Sequence, residues 1–434
     1  MKRRKFSILY IVPLAVIITL LVITGLNIRA VLISPFIGAA ADGEPIAAAP
    51  PEITGELPSL TEPPTPVPSA PAAPSPTPVP EPEPEEIDPV QEKIMEIIAA
   101  MTLHERLCQM LVVVPDSITG VARTNVAGQT TREALERYPV GGLILFEPNI
   151  SREEQIVTFT STLQTYSEIP MFIAVDEEGG RVSRLQRRLR AHSVRAMLTY
   201  EDDGEETAFD NAVTLSNALT ERGFNTNFAP VADVWSNPAN RVIGDRAFST
   251  DFDTAATLVA AAVRGFNASN IICSVKHFPG HGNTREDSHY ATAYVNRTLD
   301  ELRENEFKPF AAGIEAGADM VMTGHLIVPG VDELPATLSK TLLTDILRGE
   351  LGFDGVIITD ALNMNAISSA FSEEFVAVTA IKAGVDILLM PVDVERTIAA
   401  LTAAVESGEI SESRIDESVG RIIELKIARG IIEF

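Results

Sequence analysis

Residues 276–289 read KHFPGHGNTREDSH and gather three of the chain's six histidines with a lysine, two acids and two glycines. His277 and His281 are four apart, the spacing that sets two metal ligands on one helix face. Pro279, Gly280 and Gly282 lie in and beside that interval and oppose a helix, so no metal is expected. A phosphate loop needs glycines that open straight into a helix, and the next helical pattern begins only near Thr298. The plain alternative is an ordered loop whose histidines bond backbone, yet a loop of roughly 20 residues is more often functional than idle. Acid–base work remains. Asp287 lies two residues from His289, so the two side chains can meet in an extended or turning backbone. A carboxylate orients the imidazole and favours its protonated form. A histidine so held can give a proton to a leaving group and then take one from water.

Such a loop needs a scaffold. Eight short apolar runs follow one another: MLVVV (110–114), GLILF (142–146), MFIAV (171–175), TNFAPV (226–231), IICSV (271–275), DMVMTG (319–324), GVIIT (355–359) and DILLM (386–390). They are continuous rather than alternating, as strands buried on both faces must be. Helical patterns lie between them. Residues 151–168 open with a serine placed to cap and acids in the first turn. Residues 298–317 and 373–384 close on Gly and residues 253–269 are followed by Asn270, which suits a C-cap. Eight strand–helix repeats predict an α/β chain folded as a (β/α)8 TIM-type barrel, with an open doubly wound sheet as the alternative. No GxGxxG follows the first strand, which weakens a nucleotide-binding version. A barrel carries its chemistry at the C-terminal ends of its strands. Those positions hold Asp176, Asp233, Lys276, His277, His325 and Asp360.

The rest of the chain bounds where this chemistry would act. Residues 1–5 read MKRRK, and residues 6–26 are almost unbroken apolar sequence without charge. That is enough for a span, which needs about 20 such residues. An uncleaved transmembrane anchor within residues 1–30 is expected, with a signal peptide cut near residues 39–41 and a buried soluble helix as alternatives. The basic tip would stay in the cytoplasm and everything after it outside. Sixteen of the 29 prolines fall in residues 45–89. Residues 31–88 therefore read as a disordered linker, reaching on the order of 100 Å, and residues 89–434 as the barrel. A net charge of −26 leaves no basic stripe for phosphates, so no nucleic-acid partner is expected. Cys108 and Cys273 lie in apolar runs and belong to no CxxC pair. They read as buried hydrophobes rather than as a disulfide framework or a zinc site.

The loop resembles the signature of glycoside hydrolase family 3, in its bacterial β-N-acetylglucosaminidase branch. Lys-His-Phe-Pro-Gly-His-Gly, four intervening residues (283–286) and Asp-Ser-His are all present. MTLHERLCQM (101–110), VDEEGGRVSRL (175–185, with Glu177 where Gln is common), NFAPVADV, IGDRAF, MTGHLIVPG and VIITDALNM follow the family pattern in order. The resemblance spans about residues 95–430. It implies that Asp360 is the nucleophile, that His289 is the general acid and then base, and that Asp287 is its partner. It also implies that Asp176, Arg246, Lys276 and His277, with Arg181 and His325, hold the sugar. No cofactor or metal is implied.

The expectation is a membrane-tethered, extracytoplasmic, retaining exo-β-N-acetylglucosaminidase. It would take terminal β-linked N-acetylglucosamine, with peptidoglycan fragments as its source. Phosphorolysis, a β-glucosidase and a catalytically silent wall-glycan-binding module are the rival readings. The loop's glycines would also let it swing in over a bound sugar.

Overall fold

The computed structural model describes residues 88–285 and 293–433. The expected anchor, the linker and the Asp287/His289 pair lie outside the described residues. Among the described residues no helix is long and apolar enough to cross a membrane.

All eight expected strands form. They are β1 (Leu111–Val113), β2 (Gly142–Ile144), β3 (Phe172–Val175), β4 (Thr226–Asn227), β5 (Ile272–Phe278), β6 (Met320–Thr323), β7 (Val356–Thr359) and β8 (Leu388–Leu389). Each of the first six pairs in parallel with its successor, and β1 pairs with β8. One parallel bridge, Ile358 to Ile387, joins β7 toward β8 and leaves the barrel nearly closed. The strand residues are buried throughout, which is why no polar alternation marks them.

Three local expectations need correction. β5 runs three residues past Val275, so Lys276 and His277 sit within the strand rather than after it. Helix Glu153–Thr165 is preceded by Arg152, with no side-chain cap. Ser151 instead shares the Gln155 amide oxygen with its own backbone N–H, at 3.0 and 2.9 Å. The helix expected over 298–317 is two, Leu299–Glu304 and Phe307–Glu315. The break falls at Asn305, four residues before Pro309. A proline ring clashes with the carbonyl at that spacing and has no N–H to bond it.

Lys426 plugs the N-terminal end of the barrel. It is fully buried, donates to Gln109 Oε1 at 2.8 Å and lies 5.0 Å from the centre of the Phe172 ring. Burial without a counter-charge pushes its pKa down to about 7. The unfolded lysine titrates near about 10.4, so between these values the unfolded chain binds more protons. This residue's contribution therefore grows as pH rises through that window and is lost as pH falls through the folded value. The difference in urea midpoint between wild type and Lys426→Met is expected to shift in favour of wild type from pH 7 to pH 9. A pH-independent difference would show that the lysine does not titrate this way.

Candidate active site

A cavity of about 300 Å³ opens at the C-terminal end of the barrel. Asp176, Glu178, Arg246, Lys276, His277 and Asp360 line it, over a partly apolar wall that includes Phe146, Met322 and Met390. Asp176 follows β3, Lys276 and His277 end β5, and Asp360 follows β7. Residues far apart in sequence therefore meet because parallel strands end at one rim.

Four charges form its base. Lys276 Nζ lies 2.8 Å from Asp176 Oδ1 and 2.7 Å from Glu178 Oε1. Arg246 grips Glu178 with two 2.8 Å hydrogen bonds, Nε to Oε2 and Nη2 to Oε1. Arg184 stands 3.8 Å from the other Asp176 oxygen. Burial by itself would raise the Glu178 carboxyl, but Arg246 and Lys276 override it and hold the group well below the carboxylate range. Burial opposes the charge on Lys276 too, and Asp176 and Glu178 outweigh it, so its pKa is raised. Glu178, Lys276 and Arg246 stay ionised, and the cluster offers fixed donors and acceptors, which suits a polyhydroxylated ring.

A second group fixes the loop after β5. Asp233 Oδ2 lies 2.6 Å from His277 Nδ1, and Oδ1 accepts the backbone N–H groups of His277 and His281 at 3.2 and 2.6 Å. The His281 ring is buried, and burial lowers its pKa to about 4 despite Asp233. Asn240 Nδ2 donates to the His281 carbonyl at 2.7 Å. One carboxylate thus ties both histidine backbones, and the interval between them is not helical. Among the described residues no cluster of three or more His, Cys, Asp or Glu could hold a metal.

Gly282 serves close packing in this half of the loop. A Cβ there would sit 1.7 Å from the Val234 carbonyl oxygen. Gly282→Ala must push the loop off residues 233–240, and a misplacement of about 1 Å costs on the order of 100-fold in rate. Turnover of a small glycoside is expected to fall by that order in Gly282→Ala. Gly128→Ala, whose new Cβ would meet nothing within 4 Å, is the matched control. Equal rates in the two variants would show that the packing does not position the loop for catalysis.

Asp360 takes its place from the neighbouring strand β6 and from the peptide that follows it. Its N–H donates to Thr323 O at 2.9 Å, and its Oδ1 accepts the Ala361 N–H at 2.7 Å. His325 is fully buried and does not line the cavity. Its Nε2 lies 3.0 Å from the Ala361 carbonyl and its Nδ1 2.8 Å from Thr337 Oγ1. A carbonyl only accepts, so Nε2 carries a proton, while the Thr337 hydroxyl beside Nδ1 also reaches the Gly324 carbonyl at 3.2 Å. His325 therefore positions the peptide beside Asp360. Arg181 also stays out of the cavity: it donates to the carbonyls of Val242 and Ile243 at 2.6 and 2.7 Å and pairs with Asp245 at 2.8 Å.

Sequence reasoning missed Glu178 and Arg184. A signal existed for Glu178, because in the extended segment Glu177–Gly179 it shares a face with Asp176 two residues earlier. Glu177 turns the other way. It accepts the N–H groups of Arg184, Leu185 and Gln186 at 2.6, 2.8 and 3.3 Å and meets His192 Nε2 at 2.6 Å, which fixes the helix carrying Arg184.

Residues 102–425 match the family model described as the glycosyl hydrolase family 3 N terminal domain. The chain is 36% identical over 324 residues to beta-hexosaminidase A of Pseudoalteromonas piscicida, covering 68% of this chain and 54% of that protein. It is 38% identical over 280 residues to a beta-hexosaminidase of Stenotrophomonas maltophilia, covering 63% and 82%. It thus spans about half of the first relative's length and most of the second's. Among solved structures, a glycoside hydrolase family 3 beta-N-acetylglucosaminidase from a Paenibacillus species superposes with a TM-score of 0.71 at 38% identity, covering 76% of this chain and 63% of that one. A beta-N-acetylhexosaminidase from Beutenbergia cavernae gives 0.68 at 30% identity, covering 76% and 99%.

Proposed function

This chain belongs to glycosyl hydrolase family 3, and from that membership we propose that it is a retaining exo-β-N-acetylglucosaminidase. The observation that carries the reading is the juxtaposition of Asp360 with the Asp176–Lys276–Glu178–Arg246 cluster in one cavity of about 300 Å³. That volume lies at the small end of ligand sites and suits a single terminal ring.

In the proposed reaction the sugar's hydroxyl and acetamido groups bond Asp176, Lys276, Arg246 and His277. Asp360 attacks the anomeric carbon and forms a glycosyl ester. His289, held by Asp287, protonates the departing oxygen and then takes a proton from water, which releases the sugar with its configuration retained. Peptidoglycan fragments as the source, and an extracytoplasmic site behind the N-terminal apolar run, belong to the same proposal.

The test is hydrolysis of a chromogenic β-N-acetylglucosaminide by the full-length chain, beside the matching β-glucoside and with phosphate varied. Hydrolysis of the first substrate alone, independent of phosphate, is expected. A sugar 1-phosphate product would make the protein a phosphorylase. Preference for the glucoside would move it to that substrate class. Glycan binding without turnover would leave a binding module. Protease access to the folded part in intact cells tests the location.

A further inference from the structure

Asp233 is buried and does not line the catalytic cavity, yet it bonds a ring that does. Its two oxygens have separate duties. Oδ1 accepts the backbone N–H groups of His277 and His281. Oδ2 lies 2.6 Å from Nδ1 of the His277 ring. A carboxylate has only acceptors to offer, so Nδ1 carries a proton. Because the same carboxylate also holds the His277 backbone N–H, the ring cannot turn over without losing its partner. The other ring nitrogen, Nε2, has no hydrogen-bond partner among the described residues and is not sealed from solvent.

Open acceptors are few in this cavity. Lys276, Arg246 and Arg184 can only donate. Both Glu178 oxygens and Asp176 Oδ1 already accept from Lys276 or Arg246 at 2.7 or 2.8 Å. Asp360 is assigned to the anomeric carbon. A sugar ring brings hydroxyls and an acetamido N–H, each of which needs an acceptor once water is displaced. An imidazole can supply one without charge, provided the proton is on its far nitrogen. Which nitrogen that is depends on the bond the other one makes.

We propose that Asp233 is a positioning residue that fixes His277 in its Nδ1–H tautomer and thereby makes Nε2 an uncharged acceptor for a donor group of the sugar. This deepens the glycosidase reading above and rests on it. The buried carboxylate acts on the substrate through the ring, while its other oxygen holds the loop.

Asp233→Asn separates the two duties. Its amide oxygen can take the place of Oδ1 and keep the two backbone bonds. Its NH2 group then faces Nδ1, which must accept, and the ring proton moves to Nε2. The full-length chain labelled with 15N-histidine is read by NMR of the ring nitrogens, at a pH well above the ordinary histidine value of about 6.5. The chain has six histidines, and loss of a signal in His277→Gln identifies the ring. Wild type is expected to show a protonated Nδ1 and a bare Nε2, and Asp233→Asn the reverse. In the same variant kcat/KM for the chromogenic β-N-acetylglucosaminide is expected to fall by about ten-fold or more, the scale of a polar group left unpaired. A proton on Nε2 in wild type, alone or beside one on Nδ1, would overturn the proposal even if the variant did not fold. Reversed tautomers with kcat/KM within about two-fold of wild type would overturn the acceptor role. The NMR reading needs no turnover, so a wild type that cleaves no glycoside would sink the glycosidase reading while the state of the ring is still decided.

Discussion

Asp360→Asn is expected to lower turnover of any accepted glycoside by roughly 10,000-fold or more, the scale on which a covalent nucleophile is lost. The substitution is nearly isosteric. An asparagine oxygen can still accept the Ala361 N–H now bonded at 2.7 Å, so the local backbone has no reason to move. What disappears is the anionic oxygen that would bond to the anomeric carbon. A second variant separates this cause from a structural one. Asp360→Ala leaves room for azide, which would attack from the vacated side without forming an enzyme ester. Turnover should then return with azide, and the product should carry the inverted configuration. Turnover of Asp360→Asn above about a tenth of wild type would remove the nucleophile assignment. Azide rescue with a retained product would point to a different attacking group.

Arg246→Met is expected to cost about 3–5 kcal/mol of folding stability, because it strands a buried carboxylate. Glu178 is 2% exposed and loses both 2.8 Å bonds to the guanidinium. Lys276 remains at 2.7 Å but is shared with Asp176. The pH dependence gives a second check. The folded Glu178 carboxyl sits below its unfolded value of about 4.3. Its contribution is therefore fully present above that pH and is lost as pH falls toward the folded value. Wild-type urea midpoints should drop on acidification below about pH 4. In Arg246→Met the carboxyl moves back up, so less of that acid-dependent loss remains. A variant that loses less than about 1 kcal/mol, with an unchanged acid limb, would show that Glu178 does not depend on this arginine.

Much of this architecture could be read in the chain because its physical cause is local. A strand buried on both faces must be apolar at every position, so GLILF and GVIIT announced themselves, and the barrel followed from eight such runs. Strand ends at one rim then named Asp176, Lys276, His277 and Asp360, and all four line the cavity. Local rules were weaker where a side chain had to choose between partners. Ser151 stood where a cap is wanted but bonds Gln155 instead. Pro309 was visible in the sequence, and the break it imposes at Asn305 was not foreseen.

The chain's own order of residue types determined the barrel and the set of polar groups at its active rim, because burial and strand direction act on each segment separately. Which of those groups line the cavity was decided only by the assembled molecule. Arg181 and His325 carry the right chemistry, yet backbone carbonyls nearby claim them. Arg184 carried no mark beyond its charge, and Glu178 only its place two residues after Asp176, until β3, β5 and the 3₁₀ turn Gly244–Arg246 came together around them. Hydrogen bonds and ion pairs are made between segments, and the distance that makes them favourable exists only once the packing sets it.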